Sequence, residues 1–187
     1  EGGVYLSLVL PKGENPFTIT AKAGVAVKRT IEKVCNKKCS LKWVNDVLLN
    51  NKKVCGILAE GVLDKVVLGI GVNYCTSMSY FDEELQNIVE TIYEKEAKVP
   101  IETFVKVLCE EVWNLCSFEN DNSWLQEYRT SNVVPGKHVK VYKGGILIKE
   151  GKALFIDDDC FLHIMYDDNT EETLSTGEVT IRWSYDR

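Results

Sequence analysis

The stretch from Leu41 to Asn73, LKWVNDVLLNNKKVCGILAEGVLDKVVLGIGVN, constrains this chain more than any other. Its apolar runs read as strands, yet lysine, asparagine, aspartate and glycine interrupt them, and all four are poor strand residues. Local propensity contradicted inside core elements marks a place where function outweighs stability. Cation, carboxylate and amide side chains in one short region suit a site for an anionic, phosphate-bearing ligand with a metal ion.

The 187 residues suffice for one sizeable core, or for one domain and a small appendage. The net charge is −6 with no basic run, which argues against nucleic-acid binding through phosphate neutralisation. Apolar runs are too short to span a bilayer, so no membrane role is expected. Seven cysteines form no CxxC pair, and this odd set beside an ample core fits reduced thiols in a reducing, cytoplasmic setting. The two histidines fall on separate strands and no CxxC pair is present, so no structural zinc is expected. The chain opens at Glu1, without methionine, and enters a strand almost at once. That start suggests an upstream segment.

Val4 to Leu10 reads as a buried strand ended by Pro11-Lys12-Gly13. Residues Thr18 to Lys38 follow as a helix, with Gly24, Val27, Ile31 and Val34 as its stripe and Thr18 or Thr20 as its cap. Strands are expected over Ser40–Val44, over Val47–Leu49 turning through Asn50-Asn51 into Lys53–Glu60, and over Lys65–Tyr74. Glu83 to Lys95 reads as a helix with Leu85, Ile88, Val89 and Ile92 on one face. Another helix starts after Pro100 on Ile101, Phe104, Val105, Leu108, Val112 and Leu115, and a shorter one covers Ser123–Arg129, capped by Asp121 or Ser123. Trp113 and Trp124 read as core or interdomain packing. From Pro135 the pattern becomes five short alternating strands with turns at Gly144-Gly145, Asp157–Asp159 and Asp167–Asn169. The expected class is therefore α+β, a mixed or antiparallel sheet with packed helices over residues 1–132 and a small β-barrel over residues 133–187.

Chemistry concentrates in the middle. If Leu41–Trp43 and Lys53–Cys55 pair as strands, the ammonium groups of Lys42 and Lys53 converge on one ligand and neutralise charge developing on a phosphoryl centre. Asp46 can hold one lysine or bind magnesium, and Asn45 and Asn73 can serve a nucleotide or a metal's waters. A solvated edge strand with ordinary lysines accounts for the same residues. Gly56, Gly69 and Gly71 would let a ligand lie against bare backbone, although bulges or tight strand crossings also use glycine. Trp43 is core or a pocket wall. Cys55 and Cys75 read as structural thiols before nucleophiles. Glu178 and Arg182 either reach back to a nucleotide or are plain surface charges.

KWVND at 42–46, KKVCGILAEG at 52–61 and GIGVN at 69–73 resemble the catalytic signature of biotin protein ligases, and the C-terminal GKALFIDDDCFLHI and STGEVTIR resemble the small barrel of the same family. The resemblance implies a class II synthetase-like fold and a two-step reaction. Biotin and ATP, with magnesium, give biotinyl-5′-AMP, and a lysine of the biotin carboxyl carrier domain of a carboxylase then takes the biotin. It implies ATP and Mg2+ as the only small-molecule requirements beyond biotin, with no tightly held cofactor. Carried over by position, Lys53 and Asp46 are the catalytic pair. Lys53, Gly56, Leu58, Gly69 and Gly71 face biotin, and Lys42, Trp43, Asn45, Asn73, Glu178 and Arg182 serve the nucleotide. Asn73 and Asp46 stand nearest the metal. Val44 departs from the family's proline, and the glycine- and arginine-rich loop of the family has no counterpart here. A homodimer through an open sheet edge is compatible with the glycine-rich strands. Rival readings are a lipoate ligase, an octanoyltransferase with a cysteine nucleophile, and a binding-only biotin sensor. Because the family's loop clamps phosphate, residues 1–187 alone are expected to make little adenylate; robust biotinyl-AMP synthesis by them in a pyrophosphate-release assay would contradict this.

Overall fold

A computed structural model describes residues 2–11, 15–117, 123–175 and 179–183. Two five-stranded sheets organise them. The first contains β1 (Val4–Pro11), β2 (Ser40–Lys42), β3 (Asp46–Leu49), β4 (Lys52–Val62) and β5 (Lys65–Val72) in the antiparallel order β1-β5-β4-β3-β2. Alternation along β5 is strict, with Val66, Leu68, Ile70 and Val72 buried and the residues between them more open. The buried side is covered by α1 (Pro16–Cys35), whose small residues Ala23, Gly24 and Ala26 let its axis approach. A methyl group placed on Gly24 would only touch Leu41 and Ile57 at ordinary contact distance.

The cap of α1 differs from expectation. Asn15 accepts the Thr18 amide through Oδ1 at 2.8 Å, Pro16 opens the helix, and Asn36 ends it in the left-handed region. The hydroxyl of Thr20 instead returns to the Pro16 carbonyl. Asn50 and Asn51, both at positive φ, make the β3–β4 turn as expected.

The largest departure is at residues 83–95. Only Glu83–Gln86 is helical (α2), preceded by a single 3-10 turn at Met78–Tyr80. Beyond it the chain runs extended: the Lys53 amide donates to the Ile88 carbonyl, and Glu90, Ile92 and Tyr93 donate to the carbonyls of Lys53, Asn73 and Tyr74. Leu85 and Ile88 are exposed while Val89 and Ile92 are buried, so the four never share a face. β-branched residues crowd this segment, and strand-like pairing with β4 outweighs their helical spacing.

Two further helices close the first layer, α3 (Ile101–Ser117) and α4 (Ser123–Ser131). Phe104, Leu108, Val112 and Leu115 of α3 are buried as expected, Val105 is half-buried and Ile101, in the first turn, is exposed, while Trp113 is 57% exposed and is not core. Trp124 is buried. Asp121 lies outside the described residues, and so does Glu178.

The second sheet contains β6 (His138–Lys143), β7 (Ile146–Ile156), β8 (Leu162–Tyr166), β9 (Glu171–Leu174) and β10 (Val179–Trp183), all antiparallel in the order β10-β6-β7-β8-β9. Strand count, position and turns are those expected of the small C-terminal barrel, and the class is α+β. Val139, Val141, Ala153, Leu162 and Ile164 form its inner face. Among the described residues no helix is long and apolar enough to cross a membrane.

The extended segment makes a direct prediction. Ile92→Ala should cost about 2–5 kcal/mol in denaturant unfolding, while Ile88→Ala stays within roughly 0.5 kcal/mol. Equal losses at both positions would restore the helical reading.

Candidate functional site

One row of residues crosses the whole first sheet. Tyr5 pairs with Gly71, Gly71 with Gly56, Gly56 with Asp46, and Asp46 with Lys42. Cross-strand partners share a face, so all five stand on the side opposite α1. A second row, Ser7, Gly69 and Leu58, lies beside it. Leu58 and Tyr5 are well exposed, and the glycines between them leave the sheet bare. A methyl group on Gly69 would meet only the Leu58 carbonyl at 3.7 Å, and one on Gly71 the Tyr5 ring at 3.6 Å and the Gly56 carbonyl at 3.9 Å, all ordinary contact distances. Backbone is thus open to a ligand on both rows.

Lys53 reaches this face through a bulge. In a regular strand, residues three apart point to opposite sides, which would send Lys53 away from Gly56. The β3–β4 register shifts between Val47 and Leu48: Val47 faces Cys55, and Leu48 faces Lys53. Val54 is the extra residue, and its insertion turns Lys53 onto the glycine face. The lysine stem then lies over the Gly56 Cα, where a Cβ would come within 3.0 Å of both Cε and Nζ. Its ammonium meets Asp46 Oδ1 at 2.5 Å, with the Asp46 side chain mostly buried and the lysine half open. The contact lacks hydrogen-bond alignment, so Oδ1 is balanced by charge alone. A half-open cation beside bare backbone, held by one carboxylate, can receive an anionic ligand.

The expected pairing of the Lys42 strand with the Lys53 strand is not made, because β3 lies between β2 and β4. The two lysines instead approach the site from either side of Asp46. The asparagines serve the backbone. Asn45 donates its amide to the Ile57 carbonyl at 2.9 Å and accepts the Ile57 amide at its own carbonyl. Asn73 donates Nδ2 to the Glu90 carbonyl at 3.0 Å, pinning the extended segment. Trp43 is buried and sends its indole N–H to the Cys160 carbonyl of the second sheet at 2.9 Å. For Arg182 only the backbone, in β10, is described.

A cavity of about 120 Å³ adjoins this row, lined by Pro16, Phe17, Val44, Asn45, Ile57 and Leu58 among others. A larger one of about 460 Å³ lies between β1 and α3, beside Leu8, Leu10, Val112 and Trp113, and includes none of the candidate residues. Cys55 is fully buried, and burial pushes its thiol far above the ordinary range despite the nearby Lys53 ammonium. A thiol held neutral this way is inert as a nucleophile.

A sheet with a glycine-floored, lysine-bearing face, followed by a small antiparallel β unit, defines the class of fold seen in biotin and lipoate ligases. The chain belongs to the biotin/lipoate A/B protein ligase family: that family model matches residues 1–73, and the biotin protein ligase C-terminal domain matches residues 135–182. The bifunctional ligase/repressor BirA of Bacillus subtilis is 35% identical over 99 residues, which is 48% of this chain and 30% of that protein. The biotin–[acetyl-CoA-carboxylase] ligase of Mycobacterium tuberculosis is 29% identical over 144 residues, 75% of this chain and 53% of that protein. These matches therefore span 30% and 53% of the relatives' length. The Aquifex aeolicus biotin protein ligase solved with biotin and ATP superposes with a TM-score of 0.78 at 26% identity, covering 98% of this chain and 80% of that one.

Gly56→Ala tests the lysine's seat. The obstacle is the far end of a flexible side chain, so stability should stay within about 1 kcal/mol of the parent while the Lys53 ammonium leaves Asp46. A crystal structure of the variant with Lys53 unmoved would contradict the assignment.

Proposed function

We propose that the chain carries the chemistry of a biotin protein ligase. The observation that carries this reading is the Lys53 stem laid over Gly56 against Asp46, in a chain of the ligase family. Biotin, an apolar bicycle with few polar atoms, would lie along Gly69, Gly71 and Gly56 beside Leu58, with its carboxylate toward Lys53. The nucleotide would enter from the side of Lys42 and Asn45, where Trp43 backs the turn.

In the first step a biotin carboxylate oxygen attacks the α-phosphorus of ATP. A phosphorus–oxygen bond forms, the bond to the β-phosphate breaks, and pyrophosphate leaves with the electron pair. Lys53 offsets negative charge on the carboxylate and on the α-phosphoryl oxygens as the trigonal-bipyramidal arrangement develops. In the second step the amine of a lysine on a biotin carboxyl carrier domain attacks the anhydride carbonyl and AMP departs. Asp46, next to Lys53, would attract that amine and take up the proton it loses.

Magnesium finds no dedicated seat among the described side chains. Asp46 Oδ1 is engaged by Lys53, Asn73 keeps only its amide oxygen for an ion because Nδ2 donates to the Glu90 carbonyl, and no cluster of three or more acidic, histidine or cysteine groups stands among the described residues. No step is therefore routed through a protein-held ion. The cysteine-transferase reading loses Cys55 to burial.

In the longest natural form of the protein, ATP–pyrophosphate exchange should depend on biotin, and Lys53→Ala should lower it by at least about 10²-fold. Cys55→Ser should leave exchange intact. Exchange only with lipoate would move the protein to lipoate activation. No exchange with biotin, lipoate or octanoate would leave the transferase or binding-only readings.

A further inference from the structure

The turn that carries Asn45 and Asp46 is held largely from outside its own sheet. The backbone N–H of Trp43 donates to Asn132 Oδ1 at 3.3 Å, and the Tyr128 hydroxyl donates to the Val44 carbonyl at 3.1 Å. The Trp43 indole N–H donates to the Cys160 carbonyl at 2.9 Å. Cys160 belongs to the turn between β7 and β8 and sits at φ 65°, a left-handed backbone that a non-glycine residue adopts only where its surroundings fix it. Asp157 supplies that fixing: its Oδ1 accepts the amides of Asp159 and Phe161, its carbonyl accepts the Cys160 amide, and its Oδ2 meets His163 Nε2 at 2.9 Å. Phe161, next in the chain, packs edge-on against Phe17 at 5.5 Å, and Phe17 stacks toward Trp43 while lining the small cavity with Asn45. Arg129 ties the same turn to α4 through the Ile156 carbonyl and Asp158.

These contacts exceed what packing two apolar surfaces requires. A rigid turn of the second sheet presents one carbonyl to one indole N–H, and that indole sits two residues before Asn45. We propose that the β7–β8 turn is a positioning element for the reaction and that Trp43 is its receiving residue: the Cys160–Trp43 hydrogen bond and the Phe161–Phe17 contact fix the 43–46 turn, and through it the Asp46 carboxylate that holds Lys53. The kinetic part of this proposal rests on the ligase reading; the structural part does not. The β7–β8 turn thereby acts on the first step through the 43–46 turn.

Trp43→Phe keeps a large ring and deletes the donor to the Cys160 carbonyl. Two readouts separate positioning from plain stability. The first is native-state hydrogen exchange at the Ile57 amide, which is bonded to the Asn45 carbonyl at 2.9 Å and reports the turn without any assay of activity. The second is biotin-dependent ATP–pyrophosphate exchange by the longest natural form. The expected result is faster Ile57 exchange, with kcat lowered about tenfold or more and KM for biotin changed less than about twofold. Phe161→Leu, which spares the hydrogen bond, should show the same signature more weakly and serves if Trp43→Phe does not fold. A lower melting temperature with unchanged Ile57 exchange and unchanged kcat would overturn the proposal and leave Trp43 an ordinary core residue. If the parent protein shows no biotin-dependent exchange, the ligase reading fails, and the Ile57 amide alone decides whether the turn is positioned from the second sheet.

Discussion

One inserted residue decides where the principal cation of this protein points. Without the bulge at Val54, the two-residue period of β4 would place Lys53 on the side packed by α1, where an ammonium group has no counter-charge and much desolvation to bear. With it, the lysine folds down over Gly56 and meets Asp46 across the strand pair. Three features then become mutually necessary. Glycine at 56 leaves room for the lysine stem, aspartate at 46 balances its charge, and the open backbone of Gly71 and Gly69 continues the same floor toward Tyr5 and Ser7. Each is unremarkable alone, and together they set a half-open cation beside glycine backbone on an otherwise ordinary antiparallel sheet.

Stability and function divide between the two sides of that sheet. The α1 side is dry and closely packed, with Val25, Ala26, Val27, Val47, Val54 and Leu68 fully buried. The other side leaves Tyr5, Val9, Leu58 and Val62 open to solvent. Burial sets the cysteines accordingly: Cys55 is pushed far up, and Cys39, also desolvated, to about 12. Both thiols stay protonated at neutral pH.

Much of this was legible in the residues. The stripes of α1 and α3, the Asn50-Asn51 turn and the five C-terminal strands follow from period and turn chemistry, and the motifs at 42–46, 52–61 and 69–73 fall on neighbouring strands of one sheet. What escaped has physical causes. Val54-Cys55 looks like regular strand, so no local signal announces the bulge. Leu85, Ile88, Val89 and Ile92 have helical spacing, but unfilled backbone groups on Lys53, Asn73 and Tyr74 draw the segment into extended pairing. Asn45, Asn73 and Trp43 carry polar groups that suit a ligand, and only the tertiary structure reveals that the amides of the first two and the indole of the third already serve backbone carbonyls. Side-chain chemistry locates a site; it does not apportion labour within it.

The most direct measurement is a crystal structure of the longest natural form with biotin and a non-hydrolysable ATP analogue. The account predicts the biotin ring system along Gly69 and Gly71, with its carboxylate and the α-phosphate both within hydrogen-bond reach of Lys53 Nζ above Gly56. Biotin seated elsewhere, for instance in the larger cavity between β1 and α3, or a Lys53 turned away from both ligands, would contradict it.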